Sequence, residues 1–147
     1  MDIIATNRQA RFKYELMDKY EAGLVLKGSE VKSLRNKDAS LNEAFAQVRG
    51  REVYLYNLHI GQYQQAGLQG HEPKRPRKLL LNKTEISKII GKMNEKGYAL
   101  VPVTLYFNRR GIAKVEVALA KGRRVHDKRE AIRKRETERD IQRAMKR

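Results

Sequence analysis

Hydrophobic and polar positions change period several times along this chain, and each change predicts an element. Residues 11–26, RFKYELMDKYEAGLVL, mix aromatic and aliphatic side chains around an acidic turn. They predict a strand pair or one long bent strand, with Gly23 at the bend or bulge. In GSEVKSLR, 28–35, Val31 and Leu34 stand three apart behind Ser29, a residue able to cap a first turn, so a short helix is predicted. Residues 39–60 predict two strands joined at Arg49-Gly50-Arg51; in the second, Val53, Leu55 and Asn57 alternate with Tyr54, Tyr56 and Leu58. Residues 79–97 predict the clearest helix. Ile86, Ile89, Ile90 and Met93 form its stripe, Asn82 or Thr84 caps it, Glu85 completes a capping-box spacing from Asn82, and Gly97 ends it. Residues 98–122 predict a hairpin turning at Asn108-Arg109-Arg110-Gly111, with Val115, Val117 and Leu119 alternating against Lys114, Glu116 and Ala118.

Two stretches break these patterns. Residues 61–77 hold three glycines and two prolines and almost nothing to bury; they read as a long mobile loop that leads into a basic cluster of Lys74, Arg75, Arg77 and Lys78. Residues 123–147 contain Val125, Ala131, Ile132, Ile141, Ala144 and Met145 as their apolar members, in no continuous stripe. Pairs such as Glu130 with Lys134 add about 0.2–0.5 kcal/mol each, against about 1–2 kcal/mol to fix each backbone residue. This segment is expected to be disordered alone and to order on a polyanionic surface. The chain thus divides into a body, 1–122, and a tail, 123–147. Five or six strands with two helices predict a mainly β, α+β body: a small, closed or partly closed antiparallel barrel.

Charge changes the picture most. The 147 residues carry a formal net charge of +16, with a pI near 10.2, which favours polyanionic partners. The tail holds 11 Lys/Arg against 5 Asp/Glu and the body 22 against 12, so both are basic and the tail is denser. No run approaches the roughly 18 apolar residues of a membrane span, and no secretion signal opens the sequence. The absence of cysteine removes disulfides, thiolate metal sites and thiol nucleophiles. A cytoplasmic nucleic-acid binder is expected, with no membrane partner.

Catalysis is not indicated. His59, His71 and His126 show no metal-ligand spacing, the carboxylates are scattered, and neither GxxxxGK[ST] nor GxGxxG occurs. No cofactor is expected.

Four runs carry a resemblance: ATNRQARFKYEL, YEAGLVLKGSEVKSLR, HEPKRPRKLLLNKTEI and AKGRRVHDKR. In this order they resemble the small protein B family, whose members bind tmRNA in bacterial trans-translation, over about residues 4–147. The resemblance implies an oligonucleotide-binding (OB) type barrel that grips the tRNA-like domain of tmRNA. It also implies a tail that enters the decoding centre and empty mRNA channel of a stalled ribosome, and elongation factor Tu in the same complex. A ribosomal or ribosome-assembly protein with a basic extension is the alternative that composition leaves open.

By the same resemblance, Asn7, Arg8 and Arg11 fall in an RNA-contacting N-terminal segment, as phosphate and sugar contacts. Glu21 and Gly23 match a turn lying against RNA, where a carboxylate can accept from base amines or 2′-hydroxyls; pairing of Glu21 with a neighbouring Lys or Arg is the plain alternative. Lys32 and Arg35 look like backbone contacts. Lys78, Leu80 and Asn82 match the RKLLLN run, with Leu80 against a base or in the core, and Asn82 as helix cap, RNA contact or both. In the tail, Gly122, His126, Asp127, Lys128, Arg129 and Ile132 match the junction and DKR motif. His126 is expected to stack on a ribosomal base, and Lys128, Arg129, Arg133, Lys134 and Arg135 to neutralise rRNA phosphates. The chain departs from some relatives at Ser29, Pro76 and Thr137.

Overall fold

A computed structural model describes residues 2–62 and 70–122. The tail segment, with His126, Asp127, Lys128, Arg129, Ile132, Arg133, Lys134 and Arg135, lies outside the described residues, as does much of the segment expected to be a long loop. Nine strands and three helices follow in the order β1 (Asp2–Thr6), α1 (Ala10–Lys13), β2 (Tyr14–Leu24), α2 (Gly28–Arg35), β3 (Ala39–Ser40), β4 (Phe45–Arg49), β5 (Glu52–Tyr56), β6 (His59–Ile60), β7 (Arg77–Leu80), α3 (Lys83–Lys96), β8 (Ala99–Phe107) and β9 (Ala113–Gly122).

Six strands close on themselves. The sheet runs β8-β4-β5-β7-β2-β9, and β9 pairs back onto β8; β1 adds to β8 beside β4. Every pairing is antiparallel. Closure removes open edges from the ring. Alternate residues of each strand point inward, and the core gathers Ala22, Val53, Leu55, Leu79, Leu100, Leu105, Val115, Val117 and Leu119. Ile89 of α3 is fully buried against this core, with Ile86 and Met93 packing beside it. On the outside, Ala10 of α1 meets Val101 and Ala120 in a second, small cluster.

The β4–β5 and β8–β9 hairpins turn where the sequence predicts. Asn108 Oδ1 accepts from the backbone N–H groups of Arg110 and Ile112, both at 2.9 Å, which fixes the second turn. Helix α3 is capped by Asn82, whose Oδ1 accepts from Glu85 N at 2.9 Å, and it ends at Gly97 in the left-handed region, φ +66°.

Several expectations are corrected. Strand β1 and helix α1 were not predicted, because a five-residue strand followed by four helical residues is too short to show a period. Among the described residues the strands number nine rather than five or six. Of the two readings of 11–26, one long strand holds, as Tyr14–Leu24, but its irregularity falls between Leu16 and Lys19, not at Gly23. Ser29 does not cap α2: the cap is Lys27, whose N–H donates to Glu30 Oε1 at 2.8 Å. Within the stretch 79–97, Leu79 and Leu80 belong to β7 instead, and α3 begins at Lys83, directly after the predicted cap Asn82. The second strand stops at Tyr56, because Asn57 adopts φ +59° and turns the chain before His59 and Ile60 pair with β3.

Candidate nucleic-acid interface

The segment 71–77, expected to belong to a mobile loop, is held down by its polar groups. His71 is 3% exposed. Its Nε2 faces the Ile60 carbonyl at 3.0 Å and must donate there, so Nδ1, 2.9 Å from Ser29 Oγ, accepts the serine proton when the ring is neutral. Glu30 and Arg77 are fully buried and joined by two contacts, Arg77 Nε to Glu30 Oε2 at 2.6 Å and Nη2 to the same oxygen at 2.5 Å. Arg75 Nη2 meets Glu30 Oε1 at 2.5 Å, and Arg77 also donates to the carbonyls of Leu58 and Pro73. Burial alone would raise the Glu30 carboxyl. The hydrogen bonds from Arg75 and Lys27, with Arg77 beside it, outweigh burial and hold it below the ordinary glutamate value. Two members of the predicted basic cluster, the buried Arg77 and the partly exposed Arg75, are therefore committed to Glu30 and leave little charge for a partner.

The other half of the same run faces out. Strand β7 lies between β5 and β2, and its period of two sends Arg77 and Leu79 inward and Lys78 and Leu80 outward. Leu80 is 52% exposed, which removes the alternative that it is a core leucine. It pairs with Gly23 of β2, and a Cβ at Gly23 would come within 3.3 Å of Leu80 Cβ, tighter than ordinary packing. The bare backbone at Gly23 gives Leu80 room to lie across it, and Lys114 Nζ approaches the same spot. Lys78 Nζ lies 3.3 Å from Glu52 in a solvent-exposed pair. Glu21, two residues from Gly23 on the same outward face, is exposed; Tyr106 Oη donates to its Oε2. Asn82 lies two residues beyond Leu80 and is exposed while capping α3. Glu21, Gly23, Lys78, Leu80 and Asn82 thus share one face of adjacent elements, beside the exposed apolar residue Val25, whose N–H donates to the Lys78 carbonyl.

The N-terminal candidates form a separate group. Asn7 is 8% exposed; its backbone N–H donates to Val103 O and its Nδ2 to Pro102 O, while its Oδ1 is buried with no partner. An unsatisfied buried acceptor is costly, and Asn7 lines an open cleft of about 440 Å³ together with Lys13, Tyr14, Phe45 and Gln47. Arg8 and Arg11 are exposed next to it, Arg11 on α1, which packs on β2 and β8. Lys32 and Arg35 are exposed on α2, which packs on β6 and is tied to β7 through Glu30 and Arg77. Gly122 ends β9, exposed, opposite Tyr14.

Sequence reasoning missed an aromatic platform. Phe45 and Tyr56 are paired across β4–β5 with ring centroids 5.4 Å apart and planes 14° from parallel, and the Arg49 guanidinium lies 5.3 Å from the Tyr56 ring centre. Its signal was the alternation of Tyr54 and Tyr56 with Val53 and Leu55, which places both tyrosines outward. Together with the β2–β7 face, it is suited to hold single-stranded RNA: apolar and aromatic surfaces for bases, cations for phosphates.

Comparison with known proteins concerns the chain as a whole. The family model described as SmpB protein matches residues 4–147. The SsrA-binding protein of Thermosipho africanus is 48% identical over 147 residues, covering all of this chain and 99% of its own length. That of Desulforudis audaxviator is 53% identical over 141 residues, covering 96% and 92%. Among solved structures, a chain described under "tmRNA-SmpB: a journey to the center of the bacterial ribosome" is similar with a TM-score of 0.69 and 46% identity, over 87% of this chain and 93% of that one.

Proposed function

The chain belongs to the SmpB family, and from that membership we propose that it is the tmRNA-binding factor of trans-translation, acting on stalled ribosomes as a binding protein rather than an enzyme. The observation that carries this reading to particular residues is the outward face of β2 and β7, where Glu21, Gly23, Lys78 and Leu80 lie side by side, followed by Asn82. A cation, an exposed leucine and a carboxylate acceptor on one surface suit an RNA whose bases are partly unstacked, because each RNA group finds its complement there. The tRNA-like domain of tmRNA is the partner this face would grip, with Asn7, Arg8 and Arg11 extending the contact along the N-terminal segment and Lys32 and Arg35 reaching the backbone from α2.

Residues 123–147 would then serve the ribosome. Their charge suits a channel walled with phosphate, and a segment too polar to fold alone would order only where mRNA is missing. Elongation factor Tu would join the same complex, and the cytoplasm is where this work is done. Binding is tested with the full chain and a chain ending at Gly122 against a transcribed tRNA-like domain, and rescue with ribosomes stalled on an mRNA lacking a stop codon. The expected result is similar RNA affinity for both chains and loss of rescue for the shorter one. Loss of RNA binding on truncation would refute the division of labour.

A further inference from the structure

Glu21 is an acid on the surface expected to meet a polyanion, and the sheet gives it a difficult neighbour. Its register partner across β2–β9 is Glu116, a like charge directly opposite, which disfavours the pairing. Glu116 is answered by Lys19, whose Nζ lies 3.6 Å away. Glu21 is met by a neutral donor, the Tyr106 hydroxyl. Tyr106 sits on β8, paired with Lys114 of β9, which is paired in turn with Gly23. Its side chain is 4% exposed, so the ring is fixed by packing and the hydroxyl is delivered at a set point on the outer face.

We propose that Tyr106 is a positioning residue for RNA recognition: it holds the Glu21 carboxylate toward the RNA without neutralising it. This rests on the reading that Glu21 faces RNA. An exposed glutamate samples several rotamers, and ordering it on binding weakens association. A lysine or arginine partner would also order it, but would quench the charge and compete for the oxygens. A phenol donates one hydrogen bond to Oε2 and leaves Oε1 and further lone pairs open. A carboxylate so held repels phosphate and accepts from donors, so the group it reads is the amino or imino edge of an unpaired base, or a 2′-hydroxyl. Guanine, with neighbouring N1–H and N2–H donors, fits it best among the bases. Burial first, then the Glu21 carboxylate, push the Tyr106 hydroxyl well above the ordinary phenol range, so it remains a donor at any pH at which RNA is handled.

The test is a double-mutant cycle in the full chain, with Tyr106→Phe, Glu21→Ala and the pair, read as Kd for a transcribed tRNA-like domain at fixed salt. Tyr106→Phe is expected to weaken binding about three- to tenfold with the salt dependence of Kd unchanged, since no phosphate contact is lost. In the Glu21→Ala background the same change is expected to have no further effect. Independent, multiplying losses would mean that Tyr106 acts through the fold and would overturn the assignment. Full affinity in Tyr106→Phe alongside a loss in Glu21→Ala would overturn it while leaving Glu21 as an RNA contact. Full affinity in Glu21→Ala would overturn both.

Discussion

Six consecutive residues, Arg75 to Leu80, belong to two different regions of the molecule. Arg77 and Leu79 point inward, the first fully buried on Glu30 and the second in the ring's core; Lys78 and Leu80 point outward, half-buried and exposed. Adjacent basic residues thus have opposite duties. Inside, a guanidinium makes two contacts with a carboxylate and donates to two backbone carbonyls, which fastens the segment before β7 to α2. Outside, an ammonium has one exposed acidic neighbour and can exchange it for a phosphate. A run of positive charge is therefore no measure of an RNA-binding surface. The alternation of the strand that carries it divides fold from function.

The sharpest way to break this comparison is Arg77→Ala. It leaves Glu30 a buried charge held only by Arg75 and the Lys27 N–H, and the expected loss is about 3–5 kcal/mol of stability, read from the midpoint of urea unfolding. The same knot predicts an acid limb. The Glu30 carboxyl is held below its ordinary value near 4.5 in the folded protein, so its contribution is fully present above that value. It is lost as pH falls through the lowered folded value. Glu30→Gln is expected to be less stable at neutral pH and to show a flatter stability profile below pH 4.5. An unchanged acid limb in that variant would assign the limb to other carboxylates.

Leu80→Ala exchanges the effects. With the side chain 52% exposed, the fold loses little, whereas RNA affinity is expected to fall about tenfold, or roughly 1.4 kcal/mol. A matching drop in melting temperature would place Leu80 with the core instead. Asn82 stands between the two regions. Removing its cap in Asn82→Ala is expected to cost about 1 kcal/mol of stability, and Asn82→Ser, which keeps an acceptor, should restore most of it. If Asn82 also contacts RNA, serine will restore stability without restoring affinity.

Legibility followed length and period. Helix α3 and the two hairpins were readable because Ile86, Ile89 and Met93, or Val115, Val117 and Leu119, repeat long enough to define a face. Strand β7 was not, since four residues whose two leucines run on into Leu81 before a capped helix look like the approach to that helix. The Glu30–Arg77 contact was illegible because its partners are 47 residues apart and nothing local marks either as buried. Glycine misled in one respect: Gly23 suggested a bend, but its use is to make room for Leu80. The outward set of Glu21, Gly23, Lys78, Leu80 and Asn82 was named from the four motif runs, and only the register of β2 on β7 brings those residues onto one face. Tyr106 offered no signal, because an outward tyrosine between Leu105 and Phe107 reads as one more core residue.

The smallest expected effect is the most discriminating for the outward half. In Lys78→Gln, the fold loses only an exposed pair with Glu52, 3.3 Å away, so stability should change by less than about 0.5 kcal/mol. If Lys78 neutralises one phosphate, the slope of log affinity against log salt should shrink by about 0.7–0.9, one released counterion. The neighbouring Arg77→Lys, by contrast, should reduce stability while leaving that slope unchanged, because its charge never reaches the RNA. Equal slopes in wild type and Lys78→Gln would remove Lys78 from the interface even if its affinity fell. A smaller slope in Arg77→Lys would mean that the inward half of β7 also feels the phosphates, and that the division made by strand alternation is incomplete.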